Sequence, residues 1–254
     1  MRFVRDIPIV FIRYFGIFIK NPIWVFIGVM QPLLYLLLFA PLLKPISEHT
    51  PGFPPGGAYN VFVPGLLIQM GLFSASGVGF GLIEELREGV IERFRVTPVS
   101  RFALLMGRSL RDIFVLLLQS LILVVVAIPF GLHASALNVA LMFCLLALVA
   151  LTFTSISYAV ALWLKDENSY APLVFTVSLP LLLLSGVLLP LNYAPDWLQK
   201  VADVNPLKYA VDASRAIFNN NLSNQSVWQG FLIMGVLATL CVIWGARRFS
   251  SAIS

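Results

Sequence analysis

Charge is what this sequence has least of. Only 11% of its 254 residues are Asp, Glu, Lys or Arg, against 59% apolar, and the mean hydropathy is +0.90. That balance excludes an ordinary soluble domain. Cysteine is scarce as well: Cys144 and Cys241 both lie inside apolar runs and read as packing residues, not as a disulfide or metal pair. The two histidines, His49 and His133, fall in polar connections without an H-E-x-x-H or H-x-x-E-H context, which argues against a zinc peptidase. No G-x-x-x-x-G-K-[ST] loop is present, so ATP is not bound here in the P-loop manner. Gly71-Leu72-Phe73-Ser74 is no nucleophile elbow. No acid or base falls near the middle of an apolar run, where ion-coupled carriers keep the groups that move a proton or cation. The N-terminus lacks a short apolar core followed by small residues, and no cleavable signal is expected.

What is there is a series of apolar runs. An all-α integral membrane protein is expected, with six spans of roughly 20 residues each. Residues 1–21 read as an amphipathic interfacial helix, because Arg2, Asp6, Arg13 and Lys20 fall within about 40° of one another at helical spacing. Span 1 is expected over Asn21–Leu43 with Gln31-Pro32 in its middle, followed by a loop carrying Pro45, Pro51, Pro54 and Pro55. Span 2 covers Tyr59–Ile83. In it Gly71, Ala75 and Gly79 lie four apart, as do Gly77 and Gly81, so another helix can approach closely. Spans 3 and 4 are expected over Phe102–Phe130 and Ala136–Leu164, joined by a tight turn around Gly131 and His133. After a polar turn at Lys165–Asn168, span 5 runs over Tyr170–Leu189 and span 6 over Ser226–Ala246.

Two stretches break this pattern. The first, Glu84 to Arg101, is densely charged. On a helix Ile83, Leu86, Val90 and Phe94 make one apolar stripe, with Glu84, Glu85 and Glu88 early and Arg93, Arg95 and Arg101 late, the order a helix dipole favours. Thr97-Pro98 stops that helix and Ser100 can cap the next. The second, Pro190–Asn224, is too polar to span yet is patterned as two short helices. Pro195 sits in the first turn of one, and Asn205-Pro206 supplies a cap and N1 proline for the other, ending near Phe218.

Orientation follows from the basic residues. With both termini inside, only Lys44, Lys200, Lys208 and Arg215 of the 17 lie outside, as the positive-inside rule requires. The Glu84–Arg101 segment is then cytoplasmic and the two-helix region external. Arg108, Arg111 and Asp112 enter span 3 near the inner interface, where long side chains reach back to water. They either pair locally as an anchor or pass a signal from the cytoplasmic helix into span 3.

Glu84-Glu85-Leu86-Arg87-Glu88-Gly89-Val90-Ile91-Glu92-Arg93-Phe94-Arg95-Val96-Thr97-Pro98-Val99-Ser100 resembles the E-x-E-x-G-T-x-E-x-L-x-x-T-P-x-S segment of ABC-2 type permeases. Gln31-Pro32 fits the daunorubicin-resistance branch of that family, and Asn205-Pro206-Leu207-Lys208-Tyr209 followed by Arg215 is similar to its external N-P-x-x-Y…R signature. The chain departs from the pattern at Val90, where Thr is frequent, and at Phe94-Arg95, where two apolar residues are common.

The resemblance implies a six-span permease in the inner membrane of a bacterium. It pairs with a second copy as a homodimer, above two separate ATP-binding subunits that hold the ATP and Mg; this chain has no catalytic residue, cofactor or metal of its own and no nucleic-acid partner. Domain bounds are 1–21 for the interfacial helix and 22–254 for the transmembrane domain. Within the latter, residues of about 84–96 form a coupling helix and about 190–224 an external re-entrant hairpin. The coupling residues implied are Glu84, Glu85, Arg87, Glu88, Gly89, Glu92, Arg93, Phe94, Thr97 and Pro98, and the hairpin residues Asn205, Pro206, Tyr209 and Arg215. Sparse uncharged polar groups at Gln31, Gln69, Ser74, Ser76, Thr176, Ser178 and Ser185 are candidates for a route suited to an amphipathic drug, lipid or glycolipid. Alternatively they only bond to helix carbonyls. Competing functions are polysaccharide export, an intramembrane lipid-modifying enzyme with Arg108, Arg111 and Asp112 as its nearest candidates, and a passive channel or ion-coupled carrier.

Overall fold

Lipid offers the backbone no hydrogen-bond partner, so long apolar runs must satisfy their amides internally, and here they do so as helices. The computed structural model describes residues 2–20, 23–39, 41–42, 57–91, 100–188, 191 and 194–252. Among them lie α1 (Arg2–Ile19), α2 (Ile23–Leu34), α3 (Gly57–Arg87), α4 (Arg101–Ala127), α5 (Ala136–Leu164), α6 (Glu167–Leu183), α7 (Asp196–Ala202), α8 (Pro206–Phe218) and α9 (Gln225–Ala252). The proline-rich loop expected between spans 1 and 2 lies outside the described residues, apart from the start of α3.

Among the described residues, four helices are long and apolar enough to cross a membrane, over Gly57–Arg87, Phe102–Phe130, Ala136–Leu164 and Gln225–Phe249. The bounds expected for spans 3 and 4 coincide with two of them. Local caps explain why: Ser100 accepts from the Ala103 amide, Ser135 accepts from the Asn138 amide, and Gly131 turns the chain at φ 105°.

Span 5 is shorter than expected, and span 1 changes its helical form part-way. Pro32 has no amide to give the Gly28 carbonyl, and the helix beyond it widens into a π-turn over Tyr35–Phe39. The helix expected to reach Leu189 ends at Leu183, because Gly186 takes a left-handed conformation at φ 73°. Its 17 residues cover about 25 Å, short of a hydrocarbon core about 30 Å thick.

α5 sits at the centre, packed by α3, α4, α6, α8 and α9, while α1 lies along α4. Leu66, Leu67 and Leu72 of α3 meet Met142, Leu145 and Val149 of α5 in one fully buried core. The small residues of α3 allow the approach: a Cβ on Gly71 would lie 2.8 Å from Leu146, and one on Gly79 only 2.2 Å from the Tyr170 hydroxyl. Gly77 and Gly81 face open space among the described residues of this chain. Cys144 is exposed, not packed. Along α1, Val10 and Tyr14 are buried while Ile9, Ile12, Ile17 and Ile19 are exposed, which leaves an apolar stripe facing outward.

Candidate functional site

The charged stretch begins differently from its sequence pattern. α3 does not end at Ile83 but runs on through Glu84, Glu85 and Arg87 as its last turn. At 31 residues it is about 46 Å long, more than a hydrocarbon core of about 30 Å requires. The chain then turns at Glu88 and Gly89, with the Gly89 amide on the Leu86 carbonyl at 3.3 Å and Gly89 at φ 69°. A continuous helix over 84–96 is therefore not formed: the left-handed glycine breaks it, and Val90 and Ile91 start a new segment. Glu92, Arg93, Phe94, Thr97 and Pro98 lie outside the described residues. The break also inverts the dipole argument, because Glu84 and Glu85 now occupy the C-terminal end of a helix, where an anion is unfavourable.

That anion is compensated by a cation from α4. Arg108 Nη1 donates to Glu85 Oε2 at 2.7 Å, and Arg108 is only 2% exposed. The Tyr14 hydroxyl of α1 joins them, donating to Glu85 Oε2 at 3.0 Å and accepting from Arg108 Nη1 at 3.2 Å. Burial pushes the Tyr14 hydroxyl up to about 12, so it keeps its proton at neutral pH. The guanidinium lies between two aromatic faces, 4.7 Å from the Tyr14 ring and 5.3 Å from that of Tyr158. One turn further, Asp112 pairs with Arg111 at 3.0 Å and accepts from the Tyr158 hydroxyl. Arg108 and Asp112 thus do not reach back to water. Asp112 keeps a local partner, while Arg108 connects the charged end of α3 to α1 and α4. On the exposed rim, Arg87 reaches Glu167 at the start of α6, 3.1 Å away.

At the opposite end of the bundle the two short helices form as their caps dictate. Asn205 caps α8, its Oδ1 accepting from the Leu207 amide at 3.0 Å, with Pro206 at N1; Pro195 is the N-cap of α7 instead of lying in its first turn. Asn205 has a second task. Its Nδ2 donates at 2.7 Å to the Leu181 carbonyl, near the C-terminal end of the interrupted α6. Arg215 works on the same break, donating through Nη2 to the carbonyls of Gly186 (2.6 Å) and Val187 (3.2 Å) and through Nε to that of Val61 on α3 (3.1 Å). Gly65 lets α3 come this near, since a Cβ there would be 2.7 Å from the Val187 carbonyl. Tyr209 closes the hairpin by donating to the Asp203 carbonyl at 2.9 Å.

The uncharged polar groups differ in burial and in partners. Gln31 and Thr176 are exposed on α2 and α6, and Ser74 is half-buried on α3. Gln69 is buried with no hydrogen-bond partner for Oε1 among the described residues, and Ser185 bonds back to the Leu182 carbonyl at 2.6 Å. Ser76 contributes its carbonyl, which lies 2.6 Å from the Tyr170 hydroxyl and 3.1 Å from Ser157 Oγ.

Tyr14, Ser157, Tyr158 and Tyr170 carry these buried polar junctions, and sequence reasoning passed over all four. The available signal was a tyrosine in an apolar helix, whose hydroxyl needs a partner wherever the ring is buried.

Long apolar helices and a charged turn joined into the bundle by a buried ion pair define a multi-pass membrane protein. The chain belongs to the ABC-2 type transporter family, whose sequence profile matches residues 6–219. Permeases of this family work with separate ATP-binding subunits. A protein described as transport permease ycf38 of Porphyra purpurea is 29% identical over 206 residues, covering 79% of this chain and 69% of the relative. Its counterpart in Cyanophora paradoxa is 27% identical over 227 residues, 86% and 76% of the two chains. The daunorubicin resistance ABC transporter permease protein DrrB1 of Streptomyces coeruleorubidus is 24% identical over 227 residues, 85% and 75% of the two chains.

Proposed function

We propose that this permease subunit is half of the membrane part of an exporter, two copies pairing above two ATP-binding subunits in a bacterial inner membrane, with both termini cytoplasmic. The segment from Glu84 to Pro98 seats on the ATP-binding subunit, and closure of that subunit around ATP displaces it. The observation that carries this reading is the Glu85–Arg108 pair at 2.7 Å, which ties the charged end of α3 to the buried start of α4. A push on the segment is thereby delivered to two spans at once. The cargo is an amphipathic or apolar compound such as a drug, lipid or glycolipid. Support for it is the scarcity of charge inside the bundle and the exposure of Gln31 and Thr176 on α2 and α6, faces that a second copy would close into a route. α7 and α8 form the outer re-entrant hairpin over that route.

Co-purification of the chain with its ATP-binding subunit, comparing wild type with Phe94→Asp, tests the reading. Wild type should retain the subunit and the variant lose it, because an aspartate cannot fill an apolar groove. Glu88→Lys should leave the complex assembled and separate ATP hydrolysis from transport. Wild type that captures no ATP-binding subunit overturns the proposal, as does unchanged coupling in both variants.

A further inference from the structure

The connection over 92–99 leaves the described chain after Ile91 and rejoins it at Ser100, and both flanks are held by one face of α1. Before it, Glu85 accepts from Tyr14 at 3.0 Å and from Arg108 at 2.7 Å. After it, Ser100 caps α4: its Oγ accepts from the Ala103 amide at 3.4 Å, and its own amide donates to Asp6 Oδ2 at 3.2 Å. In a capping box that second bond is returned by a Glu or Gln at the third helical position. Here that position is Ala103, which has no acceptor, and the missing half is supplied by Asp6 from a different helix. Asp6, Val10 and Tyr14 are four residues apart and share a face. Between the two polar ends, Val10 seats on Gly107, where a Cβ would lie 2.7 Å from the Val10 side chain and 3.1 Å from the Ile7 carbonyl. The helices therefore touch along the whole length from Asp6 to Tyr14.

We propose that α1 is a clamp on the coupling machinery, with Asp6 and Tyr14 as positioning residues that hold the start of α4 and the end of α3 in one frame. The inference rests on the permease–ATPase reading above. One hydrogen bond would leave a hinge. Two, eight residues and about 12 Å apart along a helix, fix orientation as well as distance. A displacement imposed on the connection then moves α1, the last turn of α3 and the first turns of α4 together.

The experiment uses the full chain, alone and in complex with its ATP-binding subunit, in nanodiscs of phosphatidylethanolamine and phosphatidylglycerol. Amide hydrogen exchange and ATP hydrolysis are measured for wild type, Asp6→Ala, Asp6→Asn and Tyr14→Phe. Asp6→Ala should raise exchange of the Ser100 amide, read in a peptide that spans it, about tenfold, the effect of losing one charge-assisted hydrogen bond, and leave α5 unchanged. Tyr14→Phe should do the same at the end of α3. In both, the assembled complex should lose the difference in ATP turnover that separates it from the ATP-binding subunit alone. Asp6→Asn keeps an acceptor oxygen and should restore exchange and turnover together. Wild-type exchange at Ser100 in Asp6→Ala, or wild-type turnover in an assembled Asp6→Ala complex, would overturn the clamp. If the wild-type chain captures no ATP-binding subunit, the permease–ATPase reading fails, and the exchange arm on the chain alone still decides whether Asp6 holds Ser100.

Discussion

Arg215 Nη2 donates to the Gly186 carbonyl at 2.6 Å and so closes the point at which α6 breaks off. A helix that stops short inside a bundle leaves carbonyls with no amide partner, and each would cost about 1–3 kcal/mol if buried and unsatisfied. The guanidinium serves Gly186, Val187 and Val61 at once because its donors are spread across a rigid fork. Arg215→Lys offers a single ammonium that cannot span α3 and the break together. It should lower unfolding stability by about 2 kcal/mol, and Arg215→Ala by more. Thermal unfolding in detergent checks this; a lysine variant as stable as wild type would show that the fork geometry is not needed.

Glu85 and Arg108 form a pair in which one partner is almost entirely buried. Removing the acid leaves a buried cation uncompensated, which costs about 3–5 kcal/mol, while replacing both residues by apolar ones costs far less. Glu85→Ala should therefore be more damaging than Glu85→Ala with Arg108→Met. Expression and unfolding of the two variants decide it, and equal damage would mean that Arg108 matters for packing alone.

Gly79 lies under the Tyr170 hydroxyl, which would be 2.2 Å from any Cβ. Its amide also donates to Ser157 Oγ at 2.9 Å, and Ser157 Oγ is 2.6 Å from that hydroxyl. Gly79→Leu should push α6 away from α3 and destabilise the bundle by about 3 kcal/mol or more, through overpacking and loss of this hydroxyl network. Gly79→Ala combined with Tyr170→Ala should recover part of the loss relative to Gly79→Leu. A Gly79→Leu variant with wild-type unfolding would contradict the packing.

Asp166 caps α6, accepting at Oδ2 from both the hydroxyl and the amide of Ser169 at 2.9 Å. Those bonds, the hydroxyl first, hold its carboxyl below the usual value. A carboxyl lowered by folding adds stability that is fully present above its unfolded value and is lost as the pH falls through the folded one. The Tm difference between wild type and Asp166→Ala should be constant near neutrality and close in the acid range below the ordinary aspartate value. A gap independent of pH would mean that the cap does not depend on ionisation.

Much of the architecture could be read from short-range chemistry. Ser100, Ser135 and Asn205-Pro206 start helices where they stand, because a cap needs only amides two or three residues away. Spans 3 and 4 were legible to the residue for the same reason, their apolar runs being bounded by those caps and by Gly131. The Asn205 and Arg215 positions were legible as a signature, but the task they share was not, since Leu181 and Gly186 are far from them in the chain.

The sequence by itself determined that this is a helical membrane protein with a charged turn and no nucleotide loop, since hydropathy and local caps act within a few residues. Tertiary structure decided that Arg108 is buried against Glu85 and Tyr14, and that Asn205 and Arg215 meet the break after α6. Those outcomes depend on which helix faces are brought together. Glu85, Tyr14 and Arg108 come from three separate helices, and the pairing that makes their burial tolerable exists only once α1, α3 and α4 have packed.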